Sequence, residues 1–135
     1  MRILLDANAV LRHLLNDIPA QADQTSEAIQ AGAEVTPEVI AECVYVLTGV
    51  YELPRSVTSD ALIRFLEEVS CERDRILTKA LQLFADTKFD FVDCILLASN
   101  QLTGQPVLTF DKKLRTATQG TVPCVEVVRS DAGRG

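Results

Sequence analysis

A single α/β domain, with a central parallel sheet of about five strands covered by helices on both faces, is the fold class the sequence predicts, and three observations predict it. Short apolar runs alternate with helical periods from end to end, the pattern of strands joined by crossover helices. The length of 135 residues is that of one ordinary domain. The composition, 47% hydrophobic and 24% charged, is that of a globular chain with one core, and no repeat or linker divides it.

Residues 2–5 read as the first strand, ending at Asp6, with a helix over 7–16. A second helix over 21–31 is stopped by Gly32 at a C-cap, and residues 33–35 form the next strand. Thr36-Pro37 starts another helix, with Thr36 as the cap and Pro37 in the first turn. Its apolar stripe is Val39, Ile40, Cys43, Val44 and Leu47. Leu53-Pro54 breaks the chain before a helix over 57–68, a weak strand over 69–71 and an amphipathic helix over 73–84. The segment 91–102 is so apolar that its helix must be largely buried. A strand over 106–110, a short helix over 111–117 and a strand over 123–128 complete a domain spanning 1–129. The tail 130–135 is expected to fray.

A net charge of −6 and a pI near 4.7 exclude the broad basic surface by which nonspecific DNA binders displace counterions, so any nucleic acid must meet a local basic patch. The apolar run before Asp6 is too short for a signal-peptide core or a membrane span, which predicts a cytoplasmic protein. Cys43, Cys71, Cys94 and Cys124 lie far apart in apolar surroundings and read as buried, reduced thiols.

Four acids stand out, each with a bland explanation beside the chemical one. Asp6 ends ILLD and Asp111 ends VLTFD, positions at the carboxyl ends of strands where parallel sheets keep their ligand crevices. Both would also serve as helix N-caps without any catalysis. Asp93 opens the buried helix, with Asp90 as its cap, and a carboxylate there needs a cation or hydrogen bonds. Glu42 interrupts an apolar helix, although Glu38, Glu42 and Tyr45 could form a wet stripe. His13 reads as an ordinary helix-surface residue with no paired nucleophile.

The segments LLDANAVLR, VIAECVYVL, FDFVDCILLA and VLTFDKKL together resemble the PIN domain, in particular the VapC-type toxins of type II toxin–antitoxin systems. The resemblance covers nearly the whole chain. It implies catalytic, metal-binding roles for Asp6, Glu42, Asp93 and Asp111, with Asn8 and Thr109 supporting them. The register selects Glu42 over Glu38 and Asp93 over Asp90.

Hard carboxylate oxygens suit Mg²⁺ or Mn²⁺, as one or two ions, better than zinc. Such ions support phosphodiester hydrolysis by an activated water. The resemblance therefore implies an endoribonuclease that is the toxin of a toxin–antitoxin pair. It also implies a homodimer or higher homo-oligomer and a cognate antitoxin that offers a basic side chain to the acids. Arg12, Lys88, Lys112, Lys113 and Arg115 are the cations available for RNA at the crevice rim. Two other readings compete. One is a catalytically inactive PIN-fold scaffold. The other is a receiver-like, Mg-dependent phosphoswitch, disfavoured because no adjacent acidic pair follows the first strand.

Overall fold

The computed structural model describes residues 1–120. The chain runs α1 (Ala7–Leu15), α2 (Pro19–Gln30), β1 (Glu34–Val35), α3 (Pro37–Gly49), α4 (Arg55–Leu66), β2 (Ser70–Cys71), α5 (Asp74–Asp86), α6 (Phe91–Thr103) and α7 (Lys112–Ala117). Every helix expected from the sequence is present, with shifted ends. Pro19 and Pro54 account for two of the shifts. Proline is pre-organised for a first turn and lacks the N–H a helix start cannot use, so α2 begins at Pro19 and α4 directly after Pro54.

The sheet is smaller than expected. Among the described residues, β1 and β2 pair in parallel, Glu34 opposite Ser70 and Val35 opposite Cys71. The first expected strand joins them only as a bridge, Leu4 opposite Glu34, through Leu5 N–H to Glu34 O at 2.9 Å and Glu34 N–H to Ile3 O at 2.8 Å. Residues 106–110 pair with no strand among the described residues, so the sheet of about five strands is not shown. Val107 and Thr109 turn inward while Leu108 and Phe110 are exposed, a one-sided burial unlike that of a strand inside a doubly covered sheet. Pro106 also has no N–H to give a ladder. The strand expected over 123–128 and the tail 130–135 lie outside the described residues.

The turn from α2 into β1 shows how local chemistry sets the path. Gly32 takes φ +93°, in the left-handed region, and donates to Ile29 O at 2.9 Å while Ala33 donates to Ala28 O at 3.1 Å. This double closure satisfies the last carbonyls of α2 and releases the chain directly into the sheet.

Helices carry most of the core. Val10 of α1, Ile40 and Val44 of α3, Leu62 and Phe65 of α4, Leu77 and Leu81 of α5 and Phe91 of α6 are fully or almost fully buried. Phe84 meets Phe91 edge to face at 5.9 Å. The Arg55 guanidinium lies 3.5 Å from the Phe84 ring centre and donates to the carbonyls of Phe84 and Phe89, tying α4 to the α5–α6 turn. Helices α1, α3, α6 and α7 contact one another in that series, which matters for the site below.

Thr58 is fully buried in α4, and its hydroxyl has no hydrogen-bond partner among the described residues. Burying an unpaired hydroxyl costs about 1–3 kcal/mol, and valine has the same shape without it. Thr58→Val is therefore expected to stabilise the fold by about 1 kcal/mol. A thermal melt checks this, and a melting temperature at or below wild type would refute it.

Candidate active site

Asp6 and Asp111 are both helix N-caps, as their bland reading held. Asp6 follows the bridged segment, and its Oδ1 accepts from Ala9 N–H at 2.8 Å at the start of α1. Asp111 Oδ1 accepts from Leu114 N–H at 3.0 Å at the start of α7. Each cap bond uses one carboxylate oxygen, and both residues are exposed, so capping and a second role are compatible. Asn8 is exposed in the first turn of α1, two positions after Asp6. Thr109 Oγ1 accepts from Asp111 N–H at 3.1 Å, fixing the approach to the cap.

Glu42 lies mid-helix on α3, exposed together with Glu38 and Tyr45, so the stripe they form is wet. One residue on, Cys43 is buried, and its Sγ lies 3.9 Å from Ala7 O, which seats α3 against the start of α1. Burial pushes the Cys43 thiol up to about 12, with the charges of Glu42 and Asp6 adding to it. A thiol so reluctant to ionise is no nucleophile. The charges of both Glu42 and Asp6 act on this one thiol.

Asp93 occupies the first turn of α6 and is half-buried. Burial raises its carboxyl above the ordinary range, and the negative charges of Asp90 and Asp111 raise it further. Asp90 holds the N-cap position of α6, but its side chain makes no cap bond. Instead Asp90 Oδ2 accepts from Tyr45 Oη at 3.1 Å, which corrects its expected role. The Tyr45 phenol is pushed up by burial, by that bond and by the charges of Asp90 and Asp93. Tyr45 thus spans from the α3 face that carries Glu42 to the α6 acids. Its position three residues after Glu42, on the same helical face, was the available sequence signal.

The four acids therefore stand on four elements packed in series, in two groups. Asp6 and Glu42 share the α1–α3 side, and Asp93 with Asp90 and Asp111 share the α6–α7 side. Among the described residues no three His, Cys, Asp or Glu side chains come together as a group able to hold a metal ion. Several carboxylates have other partners: Asp6 and Asp111 accept from helix N–H groups and Asp90 from Tyr45.

The cations expected at the rim differ in their surroundings. Arg12 is half-buried and committed to Asp17 at 2.8 Å and Tyr51 Oη at 3.1 Å. It lines, with Asp6, Asn8, Gln21 and Gln24, a groove of about 690 Å³ between α1 and α2. Lys88, Lys112, Lys113 and Arg115 are exposed. His13 is not an ordinary surface residue: its Nε2 is 3.0 Å from Glu68 Oε1 and its Nδ1 3.3 Å from Ser26 Oγ, so it ties α1 to α2 and to the end of α4. Cys43, Cys71 and Cys94 are free thiols. Cys71 is only half-buried, Cys43 and Cys94 are buried as expected, and Cys124 lies outside the described residues.

A family model for the PIN domain matches residues 3–119. The chain belongs to the PIN-domain family. The matched span contains all four acids as well as Asn8, Thr109 and the α7 cations, so the PIN assignment and the site refer to the same residues. PIN domains are generally nucleases and generally use divalent metal ions, so this chain carries a nuclease-type fold. That membership replaces the receiver-like alternative. A comparison with curated proteins gives no match. No helix among the described residues is long and apolar enough to cross a membrane.

As a donor set, Asp6, Glu42, Asp93 and Asp111 fit a hard divalent cation by chemistry, since all are carboxylates with an oxygen free of cap bonds. Burial first, and then the charges of Asp90 and Asp111, raise the Asp93 carboxyl, and a cation there would relieve the like-charge part of that rise.

Proposed function

We propose that this PIN domain is a metal-dependent endoribonuclease that acts in the cytoplasm as the toxin of a toxin–antitoxin pair. The observation that carries the nuclease reading is Asp93, a half-buried carboxyl raised by burial and by Asp90 and Asp111, inside a family match that spans every candidate acid. Asp6, Glu42, Asp93 and Asp111 would hold one or two Mg²⁺ or Mn²⁺ ions. When bound, such ions acidify water and stabilise the charge that builds on a departing oxygen.

The chain's own residues do the rest. The caps at Asp6 and Asp111 hold two carboxylates at fixed points, one oxygen each, so little ordering is left for the moment of reaction. Thr109 accepts from the Asp111 N–H, and Asn8 lies two positions after Asp6 in the first turn of α1, so both would be near enough to support the acids. Lys112, Lys113 and Arg115 follow Asp111 on one exposed helix, and Lys88 precedes Asp90, so phosphates would meet cations at the edge of an acidic surface. The toxin role, the homodimer and an antitoxin with a basic residue for the acids rest on the resemblance to VapC-type toxins. Light scattering and growth on expression test those parts.

Because no three acids among the described residues come together as a group able to hold a metal ion, a PIN-fold scaffold without catalysis is the second reading. Incubation with pooled cellular RNA separates the two. Cleavage is expected to stop in chelator, to return with Mg²⁺ or Mn²⁺ and to return poorly with Ca²⁺, which prefers more and longer bonds. Cleavage that persists in chelator removes the metal from the mechanism. RNA left intact under every condition supports the scaffold.

A further inference from the structure

Asn100 is a buried polar residue that the proposed chemistry leaves unused, only 3% exposed on α6. Its Nδ2 donates to Gln105 O at 3.0 Å and to Gln119 O at 2.6 Å, while its Oδ1 accepts from Gln119 N–H at 2.8 Å. One side chain therefore grips both ends of the segment between Gln105 and Gln119. That segment holds Thr109, Asp111 and all of α7, a helix of six residues with one buried side chain, Leu114. A helix so short has no stability of its own and needs an external tie.

The tie demands an amide. Two donations and one acceptance at a buried point exclude aspartate, which cannot donate when ionised, and serine, which has a single proton to give. Asn100 is also seven residues after Asp93 on the same helix, close to two full turns, so the two share a face about 10 Å apart along the axis. The helix that carries Asp93 thus also carries the clamp on the segment that presents Asp111.

We propose that Asn100 is a positioning residue of this site: it sets the 105–119 segment against α6 and so places Asp111 relative to Asp93. Its catalytic consequence rests on the nuclease reading, whereas the clamp itself does not. The test uses the full chain as Asn100→Ala and Asn100→Asp, beside Leu62→Ala, a core truncation in α4 that loosens the fold away from the clamp. Under native conditions, hydrogen exchange at the amides of residues 109–116 should accelerate in both Asn100 variants and not in Leu62→Ala. Equal acceleration in all three, or none in the Asn100 variants, overturns the proposal.

In RNA cleavage, Asn100→Ala should lower kcat by roughly 10–100-fold, the range for groups that orient a metal's ligands. Adding Asp111→Asn to it should then cost little more than Asp111→Asn alone. Losses that multiply across the pair would refute action through Asp111. If the wild type cleaves no RNA, the nuclease reading falls, and the exchange comparison still decides the clamp.

Discussion

Asp93→Asn is expected to abolish RNA cleavage and, in the same protein, to raise the melting temperature at neutral pH in chelator. The amide is nearly isosteric but has no charge with which to hold a cation. The loss should therefore exceed the roughly 10–100-fold typical of an outer hydrogen-bonding partner. The stability gain follows from the raised carboxyl. Burial, then Asp90 and Asp111, make Asp93 keep its proton more firmly in the folded chain than in the unfolded one. Ionising it therefore costs folding stability. That cost is absent below the ordinary value of 3.8 and is fully present once the pH has passed the folded-state value. The variant's advantage should accordingly disappear in acid melts. Mg²⁺ should stabilise wild type by mass action and the variant much less. Wild-type cleavage by Asp93→Asn would take the residue out of the chemistry. A lower melting temperature at neutral pH would show that its charge supports the fold.

The second large effect separates two roles of one residue. Asp6 caps α1 through Oδ1, and asparagine caps about as well as aspartate whereas alanine does not. Asp6→Asn should leave the fold as stable as wild type, while Asp6→Ala should lose about 1 kcal/mol and several degrees of melting temperature. Cleavage should fall by more than about a hundredfold in both, because neither side chain has the charge that a cation requires. Activity retained by Asp6→Asn and reduced by Asp6→Ala only in step with its stability would make Asp6 a cap and nothing more. Expression in bacteria gives a parallel readout: the growth arrest proposed for wild type should be relieved by Asp6→Asn at equal protein levels.

All seven described helices were legible because their signals are local. Thr36-Pro37, Pro54, Gly32 and the apolar stripe of α3 act within a few residues of where they stand. The acids were legible as candidates for the same reason, since ILLD, VIAEC, FVDC and LTFD each show a carboxylate at an element's start or on an apolar helix. The sheet was much less so. Two-residue strands are held by partners far away in sequence, as in Ser70 N–H to Ala33 O at 3.2 Å, and apolar runs such as 106–110 do not reveal whether such a partner exists.

What the sequence determined by itself is the set of helices and the family, with the four acids as candidates, because capping, periodicity and the order of motifs are written in neighbouring residues. Only the tertiary structure decided how polar side chains are spent. It sends Asp90 to Tyr45 rather than to its own helix, commits Arg12 to Asp17 and Tyr51, binds His13 between Ser26 and Glu68, and gives Asn100 the two ends of the α7 segment. Most of these bonds join residues 13 to 55 positions apart, so the local pattern of either residue does not identify its partner. They form because a buried or half-buried polar group must find a partner wherever packing offers one.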